Sequence, residues 1–210
     1  MGRWTPLTLA ACMLAAGLAG CGSAGSPGDV DAKPVIYLYP EEETWVHVTL
    51  DYDGILTTTY PAYEEGWTVT VRPDGVLTDP ETGREYYCLF WEGVSEAEYD
   101  FSSGFCVAGE DTAGFLEGAL ANLGLTEKEA NEFIIYWLPK MEGNPYNLIS
   151  FQRESYTDSA VLTIDPAPDT LIRVFMAWQA LEEPVELPPQ TLTAPARTGF
   201  TAVEWGGAQV

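Results

Sequence analysis

Alternation dominates the first half of the chain. In Thr44-Trp45-Val46-His47-Val48-Thr49-Leu50-Asp51-Tyr52 the residues Val46, Val48 and Leu50 share one side, while Trp45, His47 and Thr49 share the other. That period of two reads as a half-buried strand over 44–52. Residues 33–40, KPVIYLYP, form a shorter strand closed by Pro40, and Trp67, Val69 and Val71 repeat the alternation. Asp53-Gly54 is a two-residue hairpin signal that returns the chain into 55–60. Turns follow at Pro73-Asp74-Gly75 and over 79–83, and lead into REYYCLFWEG, whose continuous apolar run predicts a strand covered on both faces. A β meander with something packed on top of it results.

The period changes to that of a helix in the middle of the chain. Asp111 or Thr112 caps a helix whose Phe115, Leu116, Ala119, Leu120 and Leu123 make one stripe, and Gly124 ends it. Thr126 and Glu129 then have the spacing of a capping box. The second helix carries Ala130, Phe133, Ile134, Trp137, Leu138 and Met141 on one face, and Pro139 ends it by removing a donor and crowding the carbonyl of Ile135. Strands resume over 147–152, 159–165 and 170–181. The last is long, apolar and rich in strand-favouring residues, which places it centrally in a sheet. Prolines forbid regular structure over 182–198, and 199–205 is a final strand. The fold class is α+β, an antiparallel β meander or sandwich with an inserted two-helix hairpin, in one domain over 33–210.

The N-terminal pattern is different again. Residues 1–20 carry an apolar run from Leu7 to Leu18, too short and too weakly apolar for a membrane span, and read as a signal peptide. The order Leu18-Ala19-Gly20-Cys21 resembles the bacterial lipobox, which implies acylation of Cys21 after cleavage. Acyl chains at Cys21 then hold the protein to a membrane on its extracytoplasmic face, since each buried methylene contributes about 0.8 kcal/mol. Residues 21–32, rich in Gly and Ser, read as a flexible tether.

Charge narrows the partners. The sequence has 9 Lys and Arg against 32 Asp and Glu, a net charge of −23. A field of that sign repels nucleic acid and suits a solvated envelope surface, with a glycan or an envelope protein as ligand. Of four cysteines, Cys88 and Cys106 lie in the globular part. They read equally as a disulfide outside the cytoplasm and as two buried thiols. His47 is the sole histidine, so no metal site forms around it. Acidic turn residues Asp51, Asp53, Asp74, Asp79 and Glu81 offer a minor calcium-binding reading, but they have no EF-hand spacing and aspartate is common in turns for its own backbone bonds, so no cofactor is called for.

Three charges stand in apolar surroundings. Arg173 lies within LIRVF, Glu92 follows LFW, and Glu204 sits between Val203 and Trp205. Burying a lone charge costs several kcal/mol, so the leading expectation is that Arg173 pairs with one glutamate and fixes strand order. The enzymatic alternative is an envelope hydrolase of glycosidase type using two of Glu92, Glu132 and Glu204 as paired carboxylates. The binding alternative puts Trp45 on the solvent side with His47, where its ring stacks on a sugar, and adds Arg173 as a further contact. A binding or scaffolding domain is the preferred reading.

Five segments together, KPVIYLYP, NEFIIYWLP, NPYNLISF, RVFMAW and GFTAVEWGG, resemble a family of uncharacterised bacterial proteins of lipoprotein type that keeps them in this order. The resemblance covers the whole chain after the tether and implies a single domain. It brings no catalytic residues.

Overall fold

A computed structural model describes residues 1–2 and 29–210; nearly all of the segment expected to be a signal peptide, Cys21 and most of the expected tether lie outside the described residues. Two sheets and a pair of helices form three layers.

The seven-stranded sheet runs β3 (Gly54–Tyr60), β7 (Leu89–Ser95), β1 (Asp29–Tyr39), β12 (Thr201–Gln209), β11 (Thr170–Leu181), β9 (Tyr146–Gln152) and β8 (Phe105–Ala108). The five-stranded sheet runs β10 (Ala160–Asp165), β2 (Thr44–Tyr52), β4 (Trp67–Val71), β5 (Leu77–Thr78) and β6 (Glu85–Tyr86). Pairing is antiparallel throughout except between β11 and β12, which run parallel. Helices α1 (Thr112–Asn122) and α2 (Glu127–Met141) are inserted between β8 and β9. A short α3 (Glu154–Ser159) leads from β9 into β10.

Alternation along the large sheet divides the core in two. Val35 and Tyr37 of β1, Ile172, Val174, Met176 and Trp178 of β11, and Val203 and Trp205 of β12 pack with Leu116, Leu120, Phe133, Trp137 and Met141 of the helices. Ile36, Leu38, Leu89, Trp91, Phe175 and Ala202 face the other way, against Val46, Val48, Leu50, Val69, Val71 and Leu77 of the small sheet. Close packing explains Gly207: a Cβ there would lie 2.5 Å from the Met176 carbonyl oxygen and 2.9 Å from the Trp137 ring.

The α+β architecture with its inserted helix pair is the one expected, and β2 and β11 have the bounds read from the sequence. β11 is central in its sheet, between β12 and β9. The capping box is present, with Thr126 and Glu129 each bonding the other's backbone N–H.

Four expectations are corrected. Asp53-Gly54 makes no hairpin, because β2 belongs to the small sheet and β3 to the large one. The Asp53 N–H donates to the Ser159 carbonyl at 2.7 Å, and Gly54 serves close packing instead: a Cβ there would lie 2.5 Å from the Val94 oxygen. REYYCLFWEG splits into β6 and β7, changing sheets at Tyr87-Cys88. Pro139 does not stop α2, which runs on to Met141. β1 begins at Asp29, ahead of the expected start at Lys33, because the buried Asp31 carboxylate accepts bonds from the Tyr52 and Tyr99 hydroxyls.

Candidate functional site

The parallel register of β11 and β12 sets Arg173 directly opposite Glu204. Arg173 Nε donates to Glu204 Oε2 at 2.6 Å, and Trp91 Nε1 donates to Oε1 at 3.2 Å. The Glu204 side chain is 1% exposed and that of Arg173 is 10% exposed, so water does not compete with the pair. The Tyr156 ring lies 4.8 Å from the guanidinium and stacks at 4.0 Å on Phe175. Burial pushes the Tyr156 hydroxyl well above its ordinary pKa, and the Glu204 charge adds to the shift. Glu204 therefore acts as a structural counter-charge that fixes the parallel pair, and is closed to acid/base work on a substrate.

The other two carboxylates stand elsewhere. On β7, Phe90 and Glu92 alternate with the inward Leu89 and Trp91, and Glu92 Oε1 accepts the Lys33 backbone N–H at 3.3 Å. Lys33, at a register shift in β1, has φ 61° and rests its ammonium between Phe90 and Tyr136. Glu132, on α2, accepts the Tyr37 hydroxyl proton at 2.6 Å. Burial, with that bond as the next contribution, pushes the Tyr37 pKa far up. Glu92 and Glu132 thus share the helix side of the large sheet, while Glu204 faces the small sheet. The trio does not converge.

Cys88 and Cys106 are both free thiols. Cys88 is buried, and burial, with a smaller contribution from the Glu132 charge, pushes its pKa up to about 12. A buried thiol held protonated to that degree is a poor nucleophile.

The small sheet turns one face to the core and leaves the other uncovered. On that outer face Trp45 is 54% exposed, beside a half-buried His47, the two rings 6.2 Å apart and 14° from parallel. His47 Nδ1 is 2.9 Å from Thr68 Oγ1, a bond that restrains the imidazole. By register, Thr49, Thr68, Thr70 and Thr163 occupy the same face. An open groove beside it is lined by His47, Thr68, Glu64, Glu65, Asp79 and Glu81. Asp79 is engaged with the backbone N–H groups of Thr82 and Glu81, which hold its pKa below the usual carboxylate range. Among the described residues no group of three or more His, Cys, Asp and Glu side chains is arranged to hold a metal ion.

The chain is 46% identical over 85 residues to a protein of Butyrivibrio fibrisolvens described as an uncharacterised protein in the bglA 3′ region. The match spans 39% of this chain and 86% of that protein. The chain belongs to that uncharacterised family. No family model matches the sequence, and no solved structure matches it.

Family membership of this kind assigns no residue a role, so roles follow from geometry. Two of the sequence-derived pairs are brought together, Arg173 with Glu204 and Trp45 with His47. Tyr156, whose ring packs on the Arg173 guanidinium, and the Asp31, Tyr52 and Tyr99 cluster were not among the candidates. The signal for Asp31 was masked by its place in a stretch that reads as tether. No helix among the described residues is long and apolar enough to cross a membrane.

Proposed function

We propose that the protein is a lipid-anchored, extracytoplasmic component of the bacterial cell envelope whose domain is a non-catalytic module for glycan binding. The Leu-Ala-Gly-Cys sequence at 18–21 supports the anchor, and the net charge of −23 argues against nucleic acid as partner. One observation carries the binding reading: a half-exposed Trp45 ring set nearly parallel to His47 on an uncovered sheet face rich in threonine. A flat aromatic ring covers the apolar face of a sugar, while neighbouring hydroxyls meet its polar rim.

Chain direction supports the same reading. β1 begins at Asp29, paired with Ser95 and close to Tyr52 through Asp31. Trp45 lies seven residues back along β2 from Tyr52, roughly 23 Å at the rise of a strand. A tether from Cys21 joins the domain nearer the Tyr52 end of β2 than the Trp45 end. The hydrolase alternative loses Glu204 to Arg173 and is not favoured.

Labelling with a palmitate analogue and a pull-down on purified peptidoglycan and glycan arrays test both parts. Cys21→Ser is expected to abolish the label. Trp45→Ala is expected to weaken glycan capture about tenfold, equivalent to about 1.4 kcal/mol, with an unchanged melting temperature. An unlabelled native protein overturns the anchor, and capture that is unchanged by Trp45→Ala overturns the glycan site.

A further inference from the structure

β11 is longer than the strand beside it. It pairs with β9 from Phe175 to Leu181, whereas Thr170 to Val174 have a strand partner only in β12. β9 ends at Gln152, and the chain turns away at Arg153 into α3. A cavity of about 620 Å³ occupies the line that β9 would have continued along, with Gln152, Arg153, Arg173, Phe175, Gln190 and Thr191 in its wall.

The register tells which backbone groups face that gap. The side-chain amide of Gln190 bonds both the N–H and the C=O of Phe151, at 2.8 and 2.9 Å, so those groups point away from β11. Alternation then points the backbone groups of Gln152 toward its β11 partner, Phe175. Two and four residues earlier, the N–H and C=O of Arg173 and Leu171 point the same way, where no strand stands. On the other side, the Thr170 N–H reaches the Phe200 carbonyl, as this parity requires.

A second observation falls at the same place. Arg173 Nη2 is buried and, like the Tyr156 hydroxyl of the ring packed on the same guanidinium, makes no hydrogen bond, although Nε of the same side chain is bonded to Glu204. A buried donor left unpaired is costly, and native structures keep few of them. Glu204 already balances the charge, so what Arg173 lacks is an acceptor oxygen and not an anion.

We infer that this gap is a strand-addition site: an extended segment of a partner protein lies along Leu171–Val174, bonds the backbone of Leu171 and Arg173, and presents an acceptor oxygen to Arg173 Nη2. Main-chain bonds of this kind give affinity, and alternate side chains give selectivity. The residue facing Arg173 is Ser, Thr, Asn or Gln, and the segment as a whole is neutral or basic, because a net charge of −23 repels an acidic chain and a second copy alike. The chain's own 182–198 segment is a poor occupant, since its prolines lack the N–H that a ladder needs.

Two measurements on the full chain test this. Random peptides displayed on phage are selected against the protein, and each enriched peptide is synthesised with and without N-methyl groups at alternate amides. Methylation in the pairing register is expected to weaken binding about tenfold or more. Hydrogen exchange at Leu171 and Arg173 is expected to be about a hundredfold faster than at Phe175 and Ala177 in the free protein, and to slow when peptide binds. The site is overturned if no peptide is enriched, if methylated peptides bind equally well, or if Leu171 and Arg173 exchange as slowly as Phe175 in the free protein.

Discussion

Arg173 and Glu204 lie opposite one another in the one parallel strand pair among the described residues, with Arg173 Nε 2.6 Å from Glu204 Oε2. A parallel pair has no tight turn to set its register, and here the 182–200 connection between β11 and β12 contains no helix or strand. The ion pair supplies that register, because a slip of either strand would bury two unpaired charges. Removing one partner by Glu204→Ala or Arg173→Ala is expected to cost about 3–5 kcal/mol in urea unfolding. Arg173→Met combined with Glu204→Leu is expected to restore most of that loss. A double variant no better than the singles would show that the pair is needed for more than charge balance.

Asp31 ties the start of β1 to both sheets. Its carboxylate is 1% exposed and accepts from Tyr52 at 2.7 Å and from Tyr99. Asp31→Ala removes a charged acceptor from two hydroxyls and is expected to destabilise by about 3 kcal/mol. Asp31→Asn, which keeps one acceptor oxygen, is expected to cost less. Equilibrium denaturation of the two variants separates lost bonding from lost charge.

How much of this was legible in the sequence follows from the distance over which each determinant acts. Thr126 and Glu129 are three residues apart and make their bonds within one helical turn, so the capping box was readable. The faces of β2 were readable because alternation is a local property of the strand. Asp53-Gly54 misled because the competing contacts, Ser159 and Val94, are remote in sequence. The Arg173–Glu204 bond spans 31 residues and was foreseen as a type of pair, since an arginine within LIRVF has no local way to be solvated. Asp31 was hidden because its partners stand 21 and 68 residues away, while its neighbours are those of a tether. The open edge at Leu171 and Arg173 had no sequence signal, because it depends on where a different strand, β9, stops.

The two thiols of the domain are expected to differ in reactivity. Cys88 is buried with its pKa pushed up to about 12, while Cys106 is partly exposed and its Sγ accepts the Val185 N–H at 3.4 Å. Iodoacetamide at pH 8 should modify Cys106 in the native protein and leave Cys88 untouched, because only a trace of the Cys88 thiol is ionised there. Both should react in denaturant. Mass mapping of the labelled peptides decides it, and early labelling of Cys88 would contradict the burial described above.

Alkaline pH offers a test of the tyrosine network as a whole. Burial comes first among the causes that raise the Tyr37 and Tyr52 pKa values, followed by their bonds to Glu132 and Asp31; Tyr156 is raised by burial and by Glu204. An unfolded tyrosine ionises near pH 10. Above that pH the unfolded chain releases protons that the folded chain retains, so the folded state binds more protons and stability falls as pH rises. Below pH 10 both states are protonated at these hydroxyls, and they contribute no pH dependence. Absorbance at 295 nm should therefore show Tyr37, Tyr52 and Tyr156 silent until the protein unfolds, when they ionise together with the loss of the folded circular dichroism signal. Tyr52→Phe should make stability fall less steeply with pH above 10, since it removes a proton-releasing group from the unfolded state, while lowering stability at pH 7 through the lost bond to Asp31. Gradual ionisation of these three tyrosines in the folded protein would mean that the network is open to solvent.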